Sequence, residues 1–341
     1  MFDGELKLNN LISIVIPCFN GESTIEKCLS AIYKSEECEY EVIVVNDHST
    51  DKSSNIIRQF PCKLIELGER CGAAYARNIG ANEARGEILF FTDADCVVEK
   101  QTLKYVLGSL LDNHEKVIIG GTYTRKSYDN NFFSNFQSIF IHYSETKHIA
   151  NPDYIATHAL AMRSNLFHEY AGFNNHIFPI LEDVEYSHRL KQMGVCLTIN
   201  PKIQVQHIFN FSFLLSMKNA MIKSKYWTAY TIGNNDLFKD SGTASYELKF
   251  NTFIFVILII MLVMFRQSDQ PVIIAAVLIA MMCNGMINYY FILTIQRSYG
   301  LKFTVFASLY YFCVYPLAVA VGSILGIKEY FSMRYIERGY G

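Results

Sequence analysis

The chain has 341 residues, a formal net charge of −2 and 51% hydrophobic residues. A nearly balanced charge excludes the bulk electrostatic attraction that nucleic-acid binding requires, so we expect no nucleic-acid partner. The nine cysteines form no C-x-x-C pair and no metal-ligand spacing, a pattern typical of free thiols in a reducing compartment.

The first half of the chain alternates apolar runs with amphipathic helical patterns. The runs are too apolar for half-exposed strands, so they indicate strands buried on both faces. This alternation predicts βαβ units, and therefore an α/β domain with a Rossmann-like, mostly parallel sheet. The expected strands lie at residues 11–16, 41–45, 63–67, 88–91, 117–121, 159–163 and 196–199.

Acidic residues follow two of these strands. Asp47 follows the second strand, and Asp93 and Asp95 follow the fourth. Open α/β sheets bind ligands at the carboxyl ends of their strands. Two carboxylates one residue apart repel each other unless a cation or hydrogen-bond donors hold them, and Mn²⁺ or Mg²⁺ with a diphosphate is the usual solution. An isolated D-x-D is also common in solvated loops.

Four further residues have both a structural and a functional interpretation. Arg77 lies in a helical pattern, either as a surface charge or as a fork that grips phosphate or carboxylate. Glu182 and Asp183 open a later helix, where they either complement its dipole or supply a general base. His207 follows the last apolar run, where a lone histidine is ordinarily structural.

Residues 209–248 connect the α/β region to an apolar tail. Large apolar side chains alternate there with Lys218, Lys223 and Lys225. The pattern predicts amphipathic helices on an anionic membrane surface, or alternatively a helix packed on the soluble domain.

Three apolar segments follow, at residues 250–265, 272–295 and 303–327. The last two exceed the roughly 20 residues that span a bilayer, and the first is short. We therefore expect about three transmembrane helices within residues 249–327. A cytoplasmic catalytic domain would leave the basic tail, residues 328–341, outside, against the positive-inside rule. A helix broken at Pro316 that returns to the cytoplasm would remove this conflict.

Five motifs stand in order between Leu11 and His207. They are S-I-V-I-P-C-F-N-G-E from Ser13, V-V-N-D-H-S-T-D from Val44, A-R-N-I-G-A-N-E-A-R-G-E-I-L-F-F-T-D-A-D from Ala76, A-G-F-N from Ala171 and E-D-V-E-Y-S-H-R-L from Glu182. Together they resemble the inverting family 2 glycosyltransferases of the GT-A fold, in particular the membrane-anchored members that use nucleotide sugars. The resemblance implies a GT-A domain over residues 1–208. It departs at His48, where the family often has glycine.

The resemblance assigns a donor site to one set of residues. It places Pro17, Asn20 and Glu22 in a loop beside the base and ribose. Asp47 is similar to the acid that hydrogen-bonds the nucleobase. Arg77 is expected near the diphosphate or the D-x-D.

The resemblance assigns metal binding and catalysis to a second set. Asp93 is expected to contact ribose or metal, and Asp95 to bind Mn²⁺ or Mg²⁺. His207 matches a position that reaches the metal in some members. Asp183 is the expected catalytic base, with Glu182 as the alternative.

The predicted reaction is metal-dependent, inverting sugar transfer from a nucleotide sugar, with a UDP-sugar as the expected donor. The acceptor is expected to be a hydroxyl of a lipid-linked or glycan molecule, in cell-surface glycan or glycolipid assembly at the cytoplasmic face of a membrane. Two alternatives remain. A nucleotidyltransferase would need a Gly-rich, basic loop after the first strand, which C-F-N-G-E-S is not. An inactive membrane scaffold would not need Asp93, Asp95 and Asp183 intact.

Overall fold

The computed structural model describes residues 10–36, 38–113, 116–175, 180–264 and 270–339. The first nine residues, and the last two of the predicted basic tail, lie outside these ranges. The chain divides into two compact units, Met1–Asn130 with Glu145–Phe209, and Asn131–Ser144 with Asn210–Gly341.

The described part of the first unit contains eight strands in one sheet. The strands are β1 (Ile12–Cys18), β2 (Tyr40–Asn46), β3 (Lys63–Glu66), β4 (Ile88–Phe91), β5 (Cys96–Val98), β6 (Val117–Tyr123), β7 (Leu160–Arg163) and β8 (Cys196–His207). Their order across the sheet is β3-β2-β1-β4-β7-β6-β8-β5. Strands β1, β4 and β6 are buried along their whole length, as the apolar runs predict.

The sheet is mixed: six of its eight described strands run in one direction, in line with the predicted mostly parallel sheet, and β5 and β7 run in the other. Strands β3, β2, β1 and β4 run parallel, as do β6 and β8. Strand β7 runs antiparallel to both β4 and β6, and β5 runs antiparallel to β8. Leu160 at the start of β7 pairs with Phe91 at the end of β4, so the chain enters β7 at the carboxyl edge. An apolar run shows that both faces are buried, but it does not show in which direction the strand runs.

The helices are numbered in chain order across both units. They are α1 (Ile25–Ile32), α2 (Ser53–Ile57), α3 (Ala73–Asn82), α4 (Thr102–Leu111), α5 (Phe132–Thr146), α6 (Ser164–Glu169), α7 (Glu182–Gln192), α8 (Phe213–Gly233), α9 (Tyr246–Met264), α10 (Gln270–Ile287), α11 (Tyr289–Cys313) and α12 (Tyr315–Gly339). Helix α7 inserts Tyr186 and Leu190 into a core that contains Leu89 and Phe91 of β4. This packing fixes the first turn of α7 relative to the sheet.

Helix α3 lies unusually close to the sheet at Gly80. A Cβ at this position would overlap Val15 Cγ1 of β1 and lie 3.2 Å from Val45 Cγ2 of β2. Ala76 and Ala81 of the same helix are also fully buried. Small side chains therefore set the depth of α3, the helix that carries Arg77.

In the second unit, α8 packs along α12. A Cβ at Gly322 would overlap the Met221 carbonyl oxygen, and one at Gly326 would overlap that of Lys225. Two glycines four residues apart permit this close backbone approach, as in packed membrane helices. The Lys225 ammonium also pairs with Glu329 at 2.9 Å. Helix α8 thus has a packing partner within its own unit.

One described helical stretch, Tyr289–Ser332, is long and apolar enough to cross a membrane. It is interrupted at Gly300, with φ 78°, and again at Val314, which follows the last residue of α11 and lies two residues before Pro316. The predicted segments 250–265 and 272–295 fall on α9, α10 and the start of α11, and residue 265 lies outside the described ranges. One candidate span is therefore shown, and the count of three remains a prediction.

Two helix glycines provide a matched test of the packing of α3. We expect Gly80→Ala to cost about 1–3 kcal/mol, because its methyl group would overpack the interface with β1. Gly108→Ala in α4 has nothing within 4 Å and should instead stabilise by about 0.5–1 kcal/mol through helix propensity. Thermal unfolding of the full chain in detergent measures both. Equal effects of the two substitutions would contradict the close approach at Gly80.

Candidate active site

The D-A-D turn follows β4 directly and lies at the carboxyl edge of the sheet. The Cys96 amide donates to the Asp93 carbonyl oxygen at 3.0 Å, which closes the turn before β5. The side chains of Asp93 and Asp95 are 29% and 42% exposed, so both carboxylates remain accessible to a ligand.

Arg77 joins this turn to the first turn of α7. Its side chain is 4% exposed, and its two terminal nitrogens donate to Asp93 Oδ1 at 2.7 Å and to Glu182 Oε1 at 2.5 Å. Burial disfavours the charged guanidinium, but the two carboxylates outweigh it and raise the pKa of Arg77. Burial likewise acts to raise the pKa of Asp93, yet Arg77 holds it below its ordinary value. Asp93 is therefore ionised at neutral pH.

Asp183 lies beside Glu182 but lacks a direct contact with Arg77 among the described hydrogen bonds. Its Oδ1 accepts from the Val184 amide at 2.9 Å and its Oδ2 from the Thr157 amide at 3.4 Å. Burial and the adjacent Glu182 carboxylate raise the pKa of Asp183 to about 6, against the opposing charge of Arg77. A carboxyl group with this pKa can exchange a proton near neutral pH.

Asp95, Cys96 and His207 offer ligand atoms that all lie within 4.8 Å of one another. They meet because β5 and β8 pair antiparallel with Cys96 opposite His207. His207 Nε2 lies 3.4 Å from Asp95 Oδ2. The pKa of Asp95 is raised by withdrawal from water and by Asp93, with His207 opposing, but its exposed side chain keeps the withdrawal partial.

The donor atoms of this group fit a hard or borderline cation through oxygen and nitrogen. Mn²⁺ accepts carboxylate and imidazole ligands, whereas thiolate favours softer metals. Burial, with Asp95 and Asp93 adding to it, raises the pKa of the Cys96 thiol well above its ordinary value. Cys96 thus remains protonated, and the fit rests on Asp95 and His207.

A buried histidine, His158, lies near the carboxylates of the site and was not predicted from the sequence. His158 stacks on Tyr123 with ring centroids 3.9 Å apart, and Tyr123 meets the edge of His207 at 5.1 Å. His158 Nε2 lies 3.4 Å from Glu145 Oε1. Burial lowers the pKa of His158, but Glu145 outweighs it, with Asp93 and Asp183 adding, so the pKa is raised. Only the T-H-A turn beside β7 could have drawn attention to it.

The predicted donor loop packs against the D-A-D turn, although its polar groups are engaged elsewhere. A Cβ at Gly21 would lie 3.7 Å from that of Ala94. Asn20 Oδ1 accepts from the Thr50 amide at 2.9 Å, and Glu22 Oε2 accepts from the Lys52 amide at 3.3 Å. These bonds tie the loop to the segment after β2.

Pro17 is buried within β1 and is not part of the loop, so its predicted placement was wrong. Strand β1 continues to Cys18 along β2, whereas its pairing with β4 ends at Val15. Proline has no N–H group, and it is tolerated here because this part of β1 has no β4 partner.

Asp47 is buried at the end of β2 and orders the loop before α3. Its two oxygens accept from the amides of Cys71 and Gly72 at 2.7 and 2.9 Å. His48 adopts φ 59°, in the left-handed region that favours glycine. The Arg70 guanidinium lies 3.9 Å over the Phe19 ring, a contact that the sequence did not indicate.

The fold and the polar edge of the sheet together define a GT-A-like domain. A mannosyltransferase from Pyrobaculum calidifontis, solved with GDP-Man and Mn²⁺, is similar over 94% of this chain and 86% of its own, with a TM-score of 0.56 and 16% identity. That likeness shows the fold alone. Residues 13–170 match the Glycosyl transferase family 2 model.

Two curated relatives are similar to this chain over part of their length. Glycosyltransferase AglE of Haloferax volcanii is 30% identical over 202 residues, which are 55% of this chain and 63% of that protein. Glycosyltransferase GlyG of Streptococcus pneumoniae is 29% identical over 131 residues, which are 37% of this chain and 44% of that protein. The chain thus spans about half the length of these relatives.

The ion pairs of Arg77 can be tested through stability. Arg77→Gln should cost about 3–5 kcal/mol, because it leaves Asp93 and Glu182 without their buried partner. Arg85→Gln, which breaks the pair between the 79% exposed Arg85 and Glu41, should cost less than about 1 kcal/mol. Thermal unfolding at pH 7.5 compares the two. A smaller loss for Arg77→Gln than for Arg85→Gln would refute the central role of Arg77.

Proposed function

We propose that this chain is an inverting, metal-dependent glycosyltransferase that moves a sugar from a nucleotide-sugar donor to an acceptor hydroxyl. The observation that carries the proposal is the cluster of Arg77, Asp93, Glu182 and Asp183 at the carboxyl edge of the sheet, beside the pair of Asp95 and His207. It places carboxyl groups with different pKa values at the edge where open α/β sheets bind ligands.

Asp95 and His207 would hold Mn²⁺ or Mg²⁺, with Asp93 as a further oxygen ligand or a ribose contact. A bound cation of this kind stabilises negative charge on a departing diphosphate. The Arg77 guanidinium limits the negative charge of the cluster and orients Asp93. In this role Arg77 is a positioning residue.

Asp183 is the proposed base that takes the proton of the acceptor hydroxyl. Glu182 is the weaker candidate, because its Oε1 accepts a hydrogen bond from Arg77. With a single base and in-line attack, the new glycosidic bond has the opposite anomeric configuration. The products are the glycoside and a nucleoside diphosphate, with the proton held on Asp183.

The donor is proposed to bind along the loops after β1 and β2, which carry Asn20, Glu22 and Asp47. A UDP-sugar is our first expectation from the sequence motifs. The structural neighbour from Pyrobaculum calidifontis is complexed with GDP-Man, so guanine nucleotides belong in the same test.

The exposed apolar surface of the second unit supports a location in a membrane. Large apolar side chains of α9 to α12 are strongly exposed, among them Phe253 at 61%, Val263 at 73%, Leu278 at 61%, Met286 at 68%, Leu301 at 68% and Ile324 at 68%. Soluble monomers rarely expose contiguous apolar surface on this scale. We therefore propose a multi-pass membrane protein whose catalytic domain faces the cytoplasm and whose acceptor is a lipid-linked molecule or a glycan.

Turnover with a donor panel tests the proposal. Full-length protein in detergent with Mn²⁺ should release nucleoside diphosphate from one UDP- or GDP-sugar, and EDTA should abolish the reaction. Asp95→Ala and Asp183→Asn should each lower turnover about 10²-fold or more, through loss of charge stabilisation and of the base. Asp112→Asn, at an exposed helix end, is the matched control.

The two alternative functions predict other outcomes. Full turnover in both Asp95→Ala and Asp183→Asn would sink the proposed mechanism. An absence of nucleoside-diphosphate binding in the presence of Mn²⁺ would favour the inactive scaffold. Release of pyrophosphate from a nucleoside triphosphate would favour a nucleotidyltransferase.

The pKa of Asp183 predicts a pH profile. A base must be deprotonated, so kcat/KM should be constant above pH 7 and fall about tenfold per pH unit below the pKa of about 6. Glu182→Gln removes a neighbouring negative charge that raises this pKa, so the midpoint should move to lower pH. Steady-state kinetics from pH 5 to 8 measure both profiles. A midpoint that does not move in Glu182→Gln would argue against Asp183.

A further inference from the structure

The buried carboxylate of Glu145, near the end of α5, joins two elements beside the candidate site. Its Oε2 accepts from the Thr122 hydroxyl at 2.9 Å and from the Tyr123 amide at 3.4 Å, both in β6. Its Oε1 faces His158 Nε2 at 3.4 Å. Glu145 and His158 are both buried, and a buried carboxylate needs hydrogen bonds and a charge partner. Glu145 therefore holds the His158 ring in a fixed position relative to β6.

The T-H-A turn that carries His158 is tied to both acidic segments of the site. The hydroxyl of Thr92, directly before the D-A-D turn, donates to the His158 carbonyl oxygen at 2.9 Å. The Thr157 amide donates to Asp183 Oδ2 at 3.4 Å. The position of His158 is thus set by the turn around it as well as by Glu145.

A series of packed rings connects His158 to His207, the candidate metal ligand. The His158 ring stacks on Tyr123, with ring centroids 3.9 Å apart. Tyr123 lies nearly perpendicular to His207 at 5.1 Å and to Phe209 at 5.6 Å. His207 in turn stacks on Phe209 at 3.9 Å. The His207 imidazole therefore contacts two rings at right angles to each other, and such close packing restricts the rotation of its ring.

The orientation of His207 matters because the fit of the site to a cation rests on this ring and on Asp95. His207 Nε2 lies 3.4 Å from Asp95 Oδ2. Rotation of the ring would carry this nitrogen away from the carboxylate. Replacing the side chains that orient a metal-binding histidine typically weakens metal binding by roughly 10–100-fold.

We infer that His158 is a positioning residue of the proposed metal site. Glu145 holds the His158 ring against Tyr123. Tyr123 and Phe209 then fix the plane of the His207 imidazole, and all five residues belong to the first unit. The inference rests on the proposed function, because it requires that His207 binds Mn²⁺ or Mg²⁺. It assigns His158 no contact with the cation or the substrate.

Binding of Mn²⁺ to the purified full-length protein in detergent tests the inference without turnover. Free Mn²⁺ is measured by its electron paramagnetic resonance signal during a titration. Two double variants, Glu145→Gln/His158→Ala and Glu145→Gln/His158→Phe, differ only in the ring that backs Tyr123, and neither leaves a buried charge unpaired. The alanine variant should raise the Mn²⁺ dissociation constant roughly tenfold, and the phenylalanine variant should restore most of the affinity.

Three further variants separate positioning from stability. Leu110→Ala truncates a buried residue of α4, so it should lower the unfolding temperature and leave the Mn²⁺ dissociation constant unchanged. His207→Gln removes the ligand itself and sets the largest effect expected. Glu145→Gln/His158→Leu fills the space without a flat ring and should give an intermediate affinity, and it serves as the test where the alanine variant does not fold.

The electron spin echo of bound Mn²⁺ gives a spectroscopic readout of the same geometry. Nitrogen modulation from a bound imidazole should be present in the wild-type protein and in Glu145→Gln/His158→Phe. It should be weakened in Glu145→Gln/His158→Ala and absent in His207→Gln. A residue that only stabilised the fold would leave this modulation unchanged in the folded protein.

The possible results distinguish this inference from the proposed function. Equal Mn²⁺ affinity in the alanine, leucine and phenylalanine variants, with binding lost in His207→Gln, would overturn the role of His158 and leave the metal site in place. Unchanged binding in His207→Gln would overturn the inference, because His207 would then not be a ligand. An absence of saturable Mn²⁺ binding by the wild-type protein would overturn both the inference and the proposed metal dependence.

Discussion

The buried guanidinium of Arg77 is the constraint on which the candidate site depends. It contacts Asp93 after β4 and Glu182 at the start of α7, residues that lie 16 and 105 positions away in the chain. Without this cation, the four acids of the D-A-D turn and the E-D pair would repel one another at one edge of the sheet. One side chain thus joins three segments and makes their approach electrostatically possible, and the small residues Ala76, Gly80 and Ala81 of α3 let it reach that depth.

The same interaction gives the neighbouring carboxyl groups different pKa values. Asp93 contacts Arg77 directly and has a lowered pKa, whereas Asp183 lies next to the ion pair and has a pKa of about 6. Neighbouring acids whose environments move their pKa values apart can take different chemical roles. The geometry of Arg77 therefore supports Asp93 as a permanent anion and Asp183 as a group that gains and loses a proton. Glu145 raises the pKa of the buried His158, with Asp93 and Asp183 adding to it, so this imidazole responds to the same group of acids.

Local sequence patterns predicted most of the strands and helices. The contacts between segments that are distant in the sequence could not be predicted in this way. The strands that precede Asp47 and Asp93 were predicted because apolar runs identify buried strands. The three-residue strand β5 is too short to leave such a pattern, and its pairing with β8 is what brings Cys96 to His207. The antiparallel β7 and the Glu145–His158 pair likewise depend on which segments meet in space. Pro17 was misplaced because a proline ordinarily ends a strand, whereas here the neighbouring strand ends first.

The polar contacts of the second unit help to distinguish a helical unit packed in lipid from a water-soluble one. Asn251 of α9 donates to the Tyr311 carbonyl oxygen at 2.7 Å, and Asn284 of α10 donates to Asn251 Oδ1 at the same distance. Both asparagines are buried, whereas large apolar side chains of these helices are exposed. A water-soluble helical unit has the opposite distribution, with apolar groups inside. In hydrocarbon, interhelical hydrogen bonds and small residues hold helices together, because lipid removes the hydrophobic drive between them. The asparagine bonds, with Gly322 and Gly326 against α8, therefore support a unit built to pack within lipid.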